Sequence, residues 1–263
     1  MTTAIEIYLN FLSDDIKELY INWKGIKSIP DLTRFKNLQK LECCNNELTI
    51  LPILPQNLKR FLCYNNKLTY LPTLPQNLEM LYCSDNQLTS LPTLPQNLKI
   101  LYCYNNKLTY LPTLPQKLEV LHFYKNQLTS LSTLPQNLKE LDFHDNKLTY
   151  LPTLPQNLKE LDCHYNNLTL LPTLPENLEE FCCINNPIYE IVNSKSLFQT
   201  KQNIQILNNF RYLYYCLKFK KQLKKWLWEK VRETNVKKIY NPKYLIENLG
   251  DEDELDTILN NWK

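Results

Sequence analysis

The sequence predicts an α+β fold, in which a solenoid of stacked repeats with a parallel β-sheet precedes a helical C-terminal segment. Three observations lead to this prediction. A unit of 20 residues recurs along most of the 263-residue chain, and a fixed period of this kind is typical of a solenoid. The middle of each unit alternates inward and outward side chains, as a β-strand does. From about residue 200 the apolar period becomes 3.6, as in an amphipathic helix.

The repeat unit reads L-x-x-L-x-C-x-x-N-x-L-T-x-L-P-x-L-P-x-N, and residues 158–177 are one copy. We count nine units, which start at Ile16, Leu38, Leu58, Leu78, Leu98, Leu118, Leu138, Leu158 and Leu178. The first unit has 22 residues with Lys24 at the Asn position, and the last ends after Ile191. Atypical end units are expected of an array that must close its core. We therefore assign residues 1–15 to an N-terminal cap, 16–191 to the repeats and 192–263 to a helical C-terminal cap or tail.

The Asn of each unit follows the strand, where the chain turns inward. Its side-chain amide is expected to satisfy backbone groups at this turn and to reach the next coil, because a buried amide is tolerated only when hydrogen-bonded. A ladder of such amides is predicted for Asn46, Asn66, Asn86, Asn106, Asn126, Asn146, Asn166 and Asn186. Each remaining L-P-x-L-P segment is expected to be extended, near polyproline II, because proline fixes φ and lacks a donor. Ser132 replaces the first of these prolines in one unit.

Six of the nine cysteines occupy one repeat position, which Phe123 and Phe143 occupy in two other units. A position shared by Cys and Phe indicates a buried apolar slot, so we expect reduced core cysteines at Cys43, Cys63, Cys83, Cys103, Cys163 and Cys183. The net charge of +3 is too small to indicate nucleic-acid binding. The sequence has no apolar run long enough to span a membrane and no secretory signal, which favours an intracellular protein.

These repeats resemble leucine-rich repeat proteins, specifically the short LPxLPxxL class found in bacterial type III effectors. The resemblance covers residues 16–191, and CxxNPI at Cys183–Ile188 resembles a typical last repeat. The tail ILNNFRYLYYCLKFKKQLKKWLWEKVRE and the Asn, Lys, Ile and Tyr bias are similar to leucine-rich repeat proteins of mimivirus-group giant DNA viruses. The resemblance implies a curved solenoid, a concave parallel sheet and a binding role. The viral similarity implies a host protein as partner.

Bacterial relatives of this class include ubiquitin ligases with a large helical C-terminal domain and a catalytic Cys-x-Asp. About 70 residues follow the repeats here, and Cys216-Leu217-Lys218 lacks the Asp. The sequence also lacks a P-loop, a G-x-G-x-x-G and an H-E-x-x-H motif. We therefore expect a non-catalytic protein and assign no catalytic residue, cofactor or metal.

The outward strand positions form the predicted binding face for a protein partner. They are Arg60, Leu62, Tyr64, Met80, Tyr82, Ile100, Tyr102, Tyr104, Val120, His122, Tyr124, Glu140, Asp142, His144, Glu160, Asp162 and His164. An apolar and aromatic zone is thus followed by an acidic zone with histidines. Exposed patches of this kind mark interaction sites, although cross-strand stacking of the same side chains could serve sheet stability alone.

Asp142-Phe143-His144 and Asp162-Cys163-His164 place the same pair on adjacent strands. Two carboxylates and two imidazoles within about 5–8 Å could hold a divalent metal or act as an acid–base pair. We favour a solvated face of Asp–His pairs, since the sequence shows no enclosing shell. Protonation of these histidines near pH 6 could tune partner binding.

The tail carries an apolar stripe at Ile206, Phe210, Leu213, Leu217, Leu223, Leu227 and Val231, with lysines mostly off that stripe. Gly250 is expected to stop a helix, and the acidic residues 251–254 to start a last one with Leu255, Ile258, Leu259 and Trp262 on its apolar face. These helices could cap the last coil, bind an anionic membrane, or bind a protein or nucleic acid; we favour the cap. The alternative function is an adaptor that uses repeats and tail separately, and an array without a selected function is a further alternative.

Overall fold

The computed structural model of the chain describes residues 4–220, apart from the side chain of Cys216. The chain forms two compact units, Met1–Gln205 and Ile206–Lys263, which are described separately. The helices are α1 (Ala4–Asn10), α2 (Tyr189–Val192) and α3 (Leu197–Lys218). The strands are β1 (Glu18–Tyr20), β2 (Lys40–Glu42), β3 (Arg60–Leu62), β4 (Met80–Tyr82), β5 (Ile100–Tyr102), β6 (Val120–His122), β7 (Glu140–Asp142), β8 (Glu160–Asp162) and β9 (Glu180–Cys182).

The strands form one parallel sheet in sequence order, and every pair of neighbours is one repeat apart. Leu81, for example, lies opposite Leu101. The ladder continues beyond the three-residue strands, since the backbone N–H of Asn105 donates to the Tyr124 carbonyl at 2.8 Å. Nine strands one coil apart define a solenoid of about eight turns, and a helical segment follows it. The predicted fold class is therefore confirmed.

The core is built from the same few positions in every coil. The central strand residue is buried in β1–β8, and the cysteine slot beside it has no exposure at Cys103. Phe123 and Phe143 fill the same slot with rings stacked 5.7 Å apart. Burial raises the pKa of these thiols, to about 12 for Cys83. The predicted apolar slot is thus confirmed.

The asparagine ladder forms along the whole array. The Asn126 amide group donates to the carbonyls of Cys103 at 3.1 Å and Phe123 at 2.8 Å, while its oxygen accepts the Leu108 N–H at 2.9 Å. Cys103 and Leu108 belong to the preceding coil, so the amide reaches backward and not to the next coil as expected. Each amide thereby joins two coils through backbone groups.

A left-handed backbone residue precedes each ladder asparagine, a feature that was not predicted from the sequence. Residues with positive φ in the described chain include Asn105 at 51°, Lys125 at 51° and Tyr165 at 50°. Asn or Asp occupies six of the nine equivalent positions, and these residues tolerate the left-handed region best. The preference for Asn or Asp was therefore a readable signal for this turn.

The L-P-x-L-P segments contain no helix in the repeats of the described chain, as predicted. Their two leucines point into the core, as Leu91 and Leu94 show with 6% and 2% exposure. The Leu98 N–H donates to the Pro95 carbonyl at 3.1 Å and closes a short turn before the next strand. Because these short segments contain no helix, one coil fits into 20 residues.

Both ends of the first unit carry helical segments that contact the terminal coils. In α1, Ile5 and Leu9 are buried, and the Arg34 guanidinium donates to the Leu9 carbonyl. At the other end, Lys201 of α3 donates to the carbonyls of Glu176 at 2.8 Å and Leu178 at 3.1 Å. The beginning of α3 therefore contacts the last coil.

The second unit contains the rest of α3. Ile206 and Phe210 of the predicted apolar stripe are exposed, and Leu213 and Leu217 are half-buried. The expectations for Leu223, Leu227, Val231, Gly250 and the acidic last helix lie outside the described residues. Of the helices in the described part, none combines the length and the apolar character needed to cross a membrane.

Candidate recognition surface

The outward side chains of the strands, here called the strand face, form three rows that run across the coils. The parallel register aligns equivalent positions of successive strands, so each side chain lies beside the equivalent position of the next coil. The first row is Arg60, Met80, Ile100, Val120, Glu140 and Glu160; the second is Leu62, Tyr82, Tyr102, His122, Asp142 and Asp162; the third is Tyr64, Tyr104, Tyr124, His144 and His164. The structure thus places every predicted site residue on one face of the first unit.

Aromatic rings in the second row stack face to face. The ring centroids of Tyr82 and Tyr102 lie 4.5 Å apart, and those of Tyr102 and His122 lie 4.6 Å apart. Each ring covers the faces of its neighbours, so these side chains are half-buried. We expected an exposed patch, whereas the structure exposes mainly the edges of a stack.

The third row forms a longer stack. Centroid distances are 4.3 Å from Tyr104 to Tyr124, 4.2 Å from Tyr124 to His144 and 4.2 Å from His144 to His164. Burial raises the pKa of the Tyr124 hydroxyl, which therefore remains protonated. This row presents neutral tyrosine edges that lead to two imidazoles.

The strand face becomes acidic toward β9, where it encloses an open depression of about 280 Å³. Its lining side chains include Glu140, Glu160, Glu180, Asp142 and Asp162. Burial, followed by repulsion from Glu140 and Glu180, raises the pKa of Glu160. The carboxylates therefore repel one another in this part of the face, which suits a cationic group of a partner.

His122 lies at the border between the aromatic stack and the acidic depression. Its Nε2 is 3.7 Å from a Glu140 carboxylate oxygen. Burial lowers the pKa of His122, and neighbouring charges act in both directions: Asp142 and Glu140 raise it, and His144 lowers it. Because burial is the largest cause, the neutral imidazole is favoured in the folded protein.

The two Asp–His pairs form as the sequence suggested. The ring Nδ1 of His144 is 2.7 Å from Asp142 Oδ1, and that of His164 is 2.5 Å from Asp162 Oδ1. One potential ligand atom from each of His144, Asp162 and His164 lies within 4.8 Å of the others. Among the described residues, this is the group that could hold a metal ion.

A set of exposed side chains outside the strand face was not identified from the sequence. Tyr70, Tyr110 and Tyr150 are 53%, 56% and 52% exposed and follow Thr in the LTxLP part of their units; we call them the LTxLP tyrosines. Ser90 and Ser130 occupy the same position in the intervening units. The recurrence of Tyr at one aligned position was the available signal, and it was overlooked because it lies outside the strand.

One cysteine of the strand face lies close to the acidic depression. Cys182 adjoins the acidic depression, but burial, aided by the charge of Asp162, raises its pKa. The thiol therefore stays protonated near neutral pH and is a weak nucleophile. What the face offers to another molecule is ring edges, carboxylates and imidazoles on a regular sheet.

Comparisons with known proteins agree with this architecture. Models of leucine-rich repeats match residues 76–116 as two copies, and residues 137–158 and 157–181 as single repeats. Among solved structures, the leucine-rich effector YopM from Yersinia pestis is 41% identical, with 65% of this chain and 49% of that chain covered and a TM-score of 0.61. YopM from Yersinia enterocolitica WA-314 is 31% identical over 67% of this chain and 48% of that chain, with a TM-score of 0.51.

A third solved structure is the functional domain of InlJ from Listeria monocytogenes. It is 29% identical, with 72% of this chain and 42% of that chain covered and a TM-score of 0.61. The InlJ domain includes a cysteine ladder. No curated protein matches the sequence of this chain.

The chain therefore contains leucine-rich repeats and is structurally similar to bacterial effector proteins of this type. It spans about half the length of the two YopM chains. Leucine-rich repeat proteins are generally protein–protein interaction modules.

Proposed function

We propose that the chain is a non-catalytic recognition module that binds a protein partner through the strand face. The observation that supports this most strongly is the pair of aromatic stacks leading into an acidic depression on one regular sheet. Tyrosine contributes a large amphipathic contact area with little rotamer entropy. The stacks hold these rings in place before a partner arrives, which reduces the ordering cost of association.

The charge pattern indicates what such a partner would present. Tyr82, Tyr102 and Tyr104 offer ring edges and hydroxyls at the centre of the face, while Glu140 and Glu160 lie on its acidic side. A partner with an apolar or aromatic anchor next to lysine or arginine side chains would complement both zones. The partner surface is therefore proposed to carry lysine or arginine side chains next to an apolar or aromatic group that contacts the tyrosines.

Sheet stabilisation is the competing explanation for the same stacks. Cross-strand pairs contribute roughly 0.2–1 kcal/mol each, which is sufficient reason for a solenoid to keep them. The two explanations differ at Glu140 and Glu160, because their mutual repulsion gives no benefit to an isolated sheet. Binding would depend on these carboxylates, whereas sheet stability would not.

The test is a pull-down from eukaryotic cell lysate, quantified by mass spectrometry, with the full chain as bait. Tyr82→Ala/Tyr102→Ala/Tyr104→Ala and Glu140→Lys/Glu160→Lys are the strand-face variants; the second leaves the stacks intact. The matched control converts the LTxLP tyrosines to serine, the residue found at positions 90 and 130. We expect a partner that both strand-face variants lose and the control keeps.

Either of two results would contradict the proposal. The same partners could bind all variants equally, which would place recognition elsewhere. A partner lost only when the LTxLP tyrosines are replaced would place recognition on those tyrosines. Unfolding midpoints of each bait, measured by circular dichroism, show whether a loss of binding follows from a loss of folding.

The adaptor function remains the second candidate, because basic residues concentrate in residues 201–263, with 13 Lys or Arg against 8 Asp or Glu. In that case the tail would bind a second protein or an anionic membrane. Deleting residues 206–263 should then remove one set of partners and leave those of the strand face. A host protein as partner is a further proposal, drawn from the resemblance to viral leucine-rich repeat proteins, and an intracellular site of action is another.

A further inference from the structure

We propose that His144, His164 and Asp162 form a binding site for one zinc ion on the third and second rows of the strand face. The inference rests on the geometry of these side chains and is independent of the proposed recognition of a protein partner. Its test is likewise independent, because it measures metal binding by the protein alone.

The parallel register brings the ligands together. Asp142 and Asp162 are directly opposite each other in β7 and β8, and each histidine lies two residues after its aspartate. The backbone N–H of His144 donates to Asp142 Oδ1 at 3.2 Å, and that of His164 donates to Asp162 Oδ1 at 3.2 Å. Both strand ends thus have the same local conformation, which places the two imidazoles side by side.

Asp142 orients the imidazole ring of His144, whereas the contact between His164 Nδ1 and Asp162 Oδ1 at 2.5 Å would open when Asp162 binds the metal. Because Asp142 Oδ1 lies 2.7 Å from His144 Nδ1, the carboxylate favours the tautomer with hydrogen on Nδ1. That tautomer leaves Nε2 with a lone pair for a metal. A carboxylate that holds the far nitrogen of a ligating histidine is a common feature of zinc sites, where it fixes the ring and raises its basicity. Asp142 is the positioning residue in this arrangement.

The distances are close to those that a zinc ion requires. Ligand atoms of His144, Asp162 and His164 lie within 4.8 Å of one another, whereas tetrahedral coordination at about 2.0–2.1 Å places ligand atoms about 3.3 Å apart. The rings, now stacked 4.2 Å apart, would tilt toward each other while the backbone ladder stays fixed. The proposed site thus requires side-chain rotation to bring the ligand atoms together.

The donor set favours zinc over the hard cations. Two imidazoles and one carboxylate are typical zinc ligands that leave a fourth position open for water or another group. Calcium and magnesium prefer sites made of oxygen atoms. The Cys163 thiol has no exposure, and Cys182, which lies opposite Asp162 on the strand face, does not belong to the three-residue group. The proposed ligands are therefore nitrogen and oxygen atoms.

The chain offers a matched control for this site. His122 is also part of an aromatic stack and lies near a carboxylate of Glu140, but it does not belong to the three-residue group. Replacing any of the three histidines by Phe keeps an aromatic ring in the stack. His144→Phe and His164→Phe remove a ligand, whereas His122→Phe removes a histidine outside the site.

The experiment is titration of the full chain with zinc chloride by isothermal calorimetry, in wild type and the three Phe variants. We expect one zinc ion per chain, binding at least tenfold weaker in His144→Phe and His164→Phe, and binding within twofold of wild type in His122→Phe. Asp142→Asn should weaken binding by about 10- to 100-fold, as expected for a residue that orients a ligand. Calcium chloride should give no saturable binding.

A second readout identifies the ligand atoms. Cobalt(II) in the same site should show visible absorption of a nitrogen- and oxygen-coordinated ion, without the charge-transfer band of a thiolate ligand. Zinc binding unchanged in both ligand variants would overturn the proposal. A thiolate band in the cobalt complex, or binding lost equally in the His122→Phe control, would overturn it as well.

Discussion

The asparagine ladder gives the sharpest prediction for stability, and Asn126→Ala is the change that tests it. Asn126 is 8% exposed and serves four backbone groups with one side chain. Its oxygen accepts the N–H of Leu108, a residue with no exposure. Removing the amide therefore affects both the coil of Asn126 and the one before it.

The magnitude follows from which groups keep another partner. The Cys103 carbonyl also accepts a hydrogen bond from Asn106, and the Phe123 carbonyl accepts one from Asn146. Both carbonyls therefore keep a donor after the substitution. The Leu108 N–H loses the acceptor it has in the ladder, and an unsatisfied buried donor costs about 1–3 kcal/mol. With the net loss of the other hydrogen bonds, we expect about 2–4 kcal/mol of destabilisation.

Asn46→Ala is the matched control at the start of the ladder. The amide group of Asn46 also donates to three carbonyls, but its oxygen accepts the N–H of Lys24 at 2.9 Å in an exposed environment and that of Ile26 at 3.3 Å in a part-buried one. Water can replace the amide oxygen at the exposed Lys24 N–H. We expect about 1 kcal/mol of destabilisation there. Since both asparagines donate to three carbonyls, the difference between the two sites reports mainly the cost of leaving the buried Leu108 N–H without an acceptor.

The assay is thermal unfolding followed by circular dichroism, together with amide hydrogen exchange at Leu108. A destabilisation of 2–4 kcal/mol corresponds to a fall in the melting temperature of roughly 4–16 °C for a unit of about 200 residues. Exchange at Leu108 should accelerate more than exchange at Leu48, which keeps its bond to Asn66 at 3.0 Å. Equal melting temperatures for Asn126→Ala and Asn46→Ala, with Leu108 still protected, would refute this account of the ladder.

Three further predictions follow from other parts of the first unit. Lys125→Asn should stabilise the protein by about 0.5–1 kcal/mol, because Asn adopts the left-handed conformation at a lower cost than Lys, and Asn105→Lys should destabilise it by a similar amount. Chemical denaturation measures both free energies of unfolding, and a change in the same direction for both variants would contradict the argument. Burial holds the pKa of His122 in the folded protein below its usual 6.5, so its contribution to stability is present above pH 6.5 and is lost as the pH falls through the folded pKa. The melting temperature should therefore decline less between pH 7.5 and 5 in His122→Phe than in wild type, and a steeper decline in the variant would contradict a lowered pKa. Phe143→Ala should cost about 3–5 kcal/mol through the cavity it leaves, measured by urea unfolding, and a cost below about 1 kcal/mol would mean that the slot collapses.

Most of the fold could be predicted because the repeat makes each structural requirement visible several times. A single Asn could have had many roles, but the same residue after every strand indicated a ladder. The shared use of Cys and Phe at positions such as 103 and 123 likewise identified an interior slot. The direction of the ladder, backward to the preceding coil, was missed because spacing alone does not distinguish between the two neighbours of a coil.

The sequence indicated which residues lie on the strand face, but it did not indicate how far their side chains are exposed. The alternation of side chains placed Tyr102 and Tyr104 on the outward side correctly. Their burial depends on rotamers and on the contact between rings of adjacent coils, as in the 4.3 Å stack of Tyr104 and Tyr124. The alternation pattern contains no information about these contacts. The LTxLP tyrosines escaped notice for a different reason, since they belong to a turn and not to a strand.

Site-specific photo-crosslinking tests the proposed recognition surface most directly. A benzophenone amino acid would replace Tyr104 on the strand face in one protein and Tyr110 of the LTxLP tyrosines in another, with irradiation in lysate and mass spectrometry of the products. We predict that the position-104 protein crosslinks to a specific partner and that the position-110 protein does not. Crosslinks from position 110 alone would contradict recognition through the strand face.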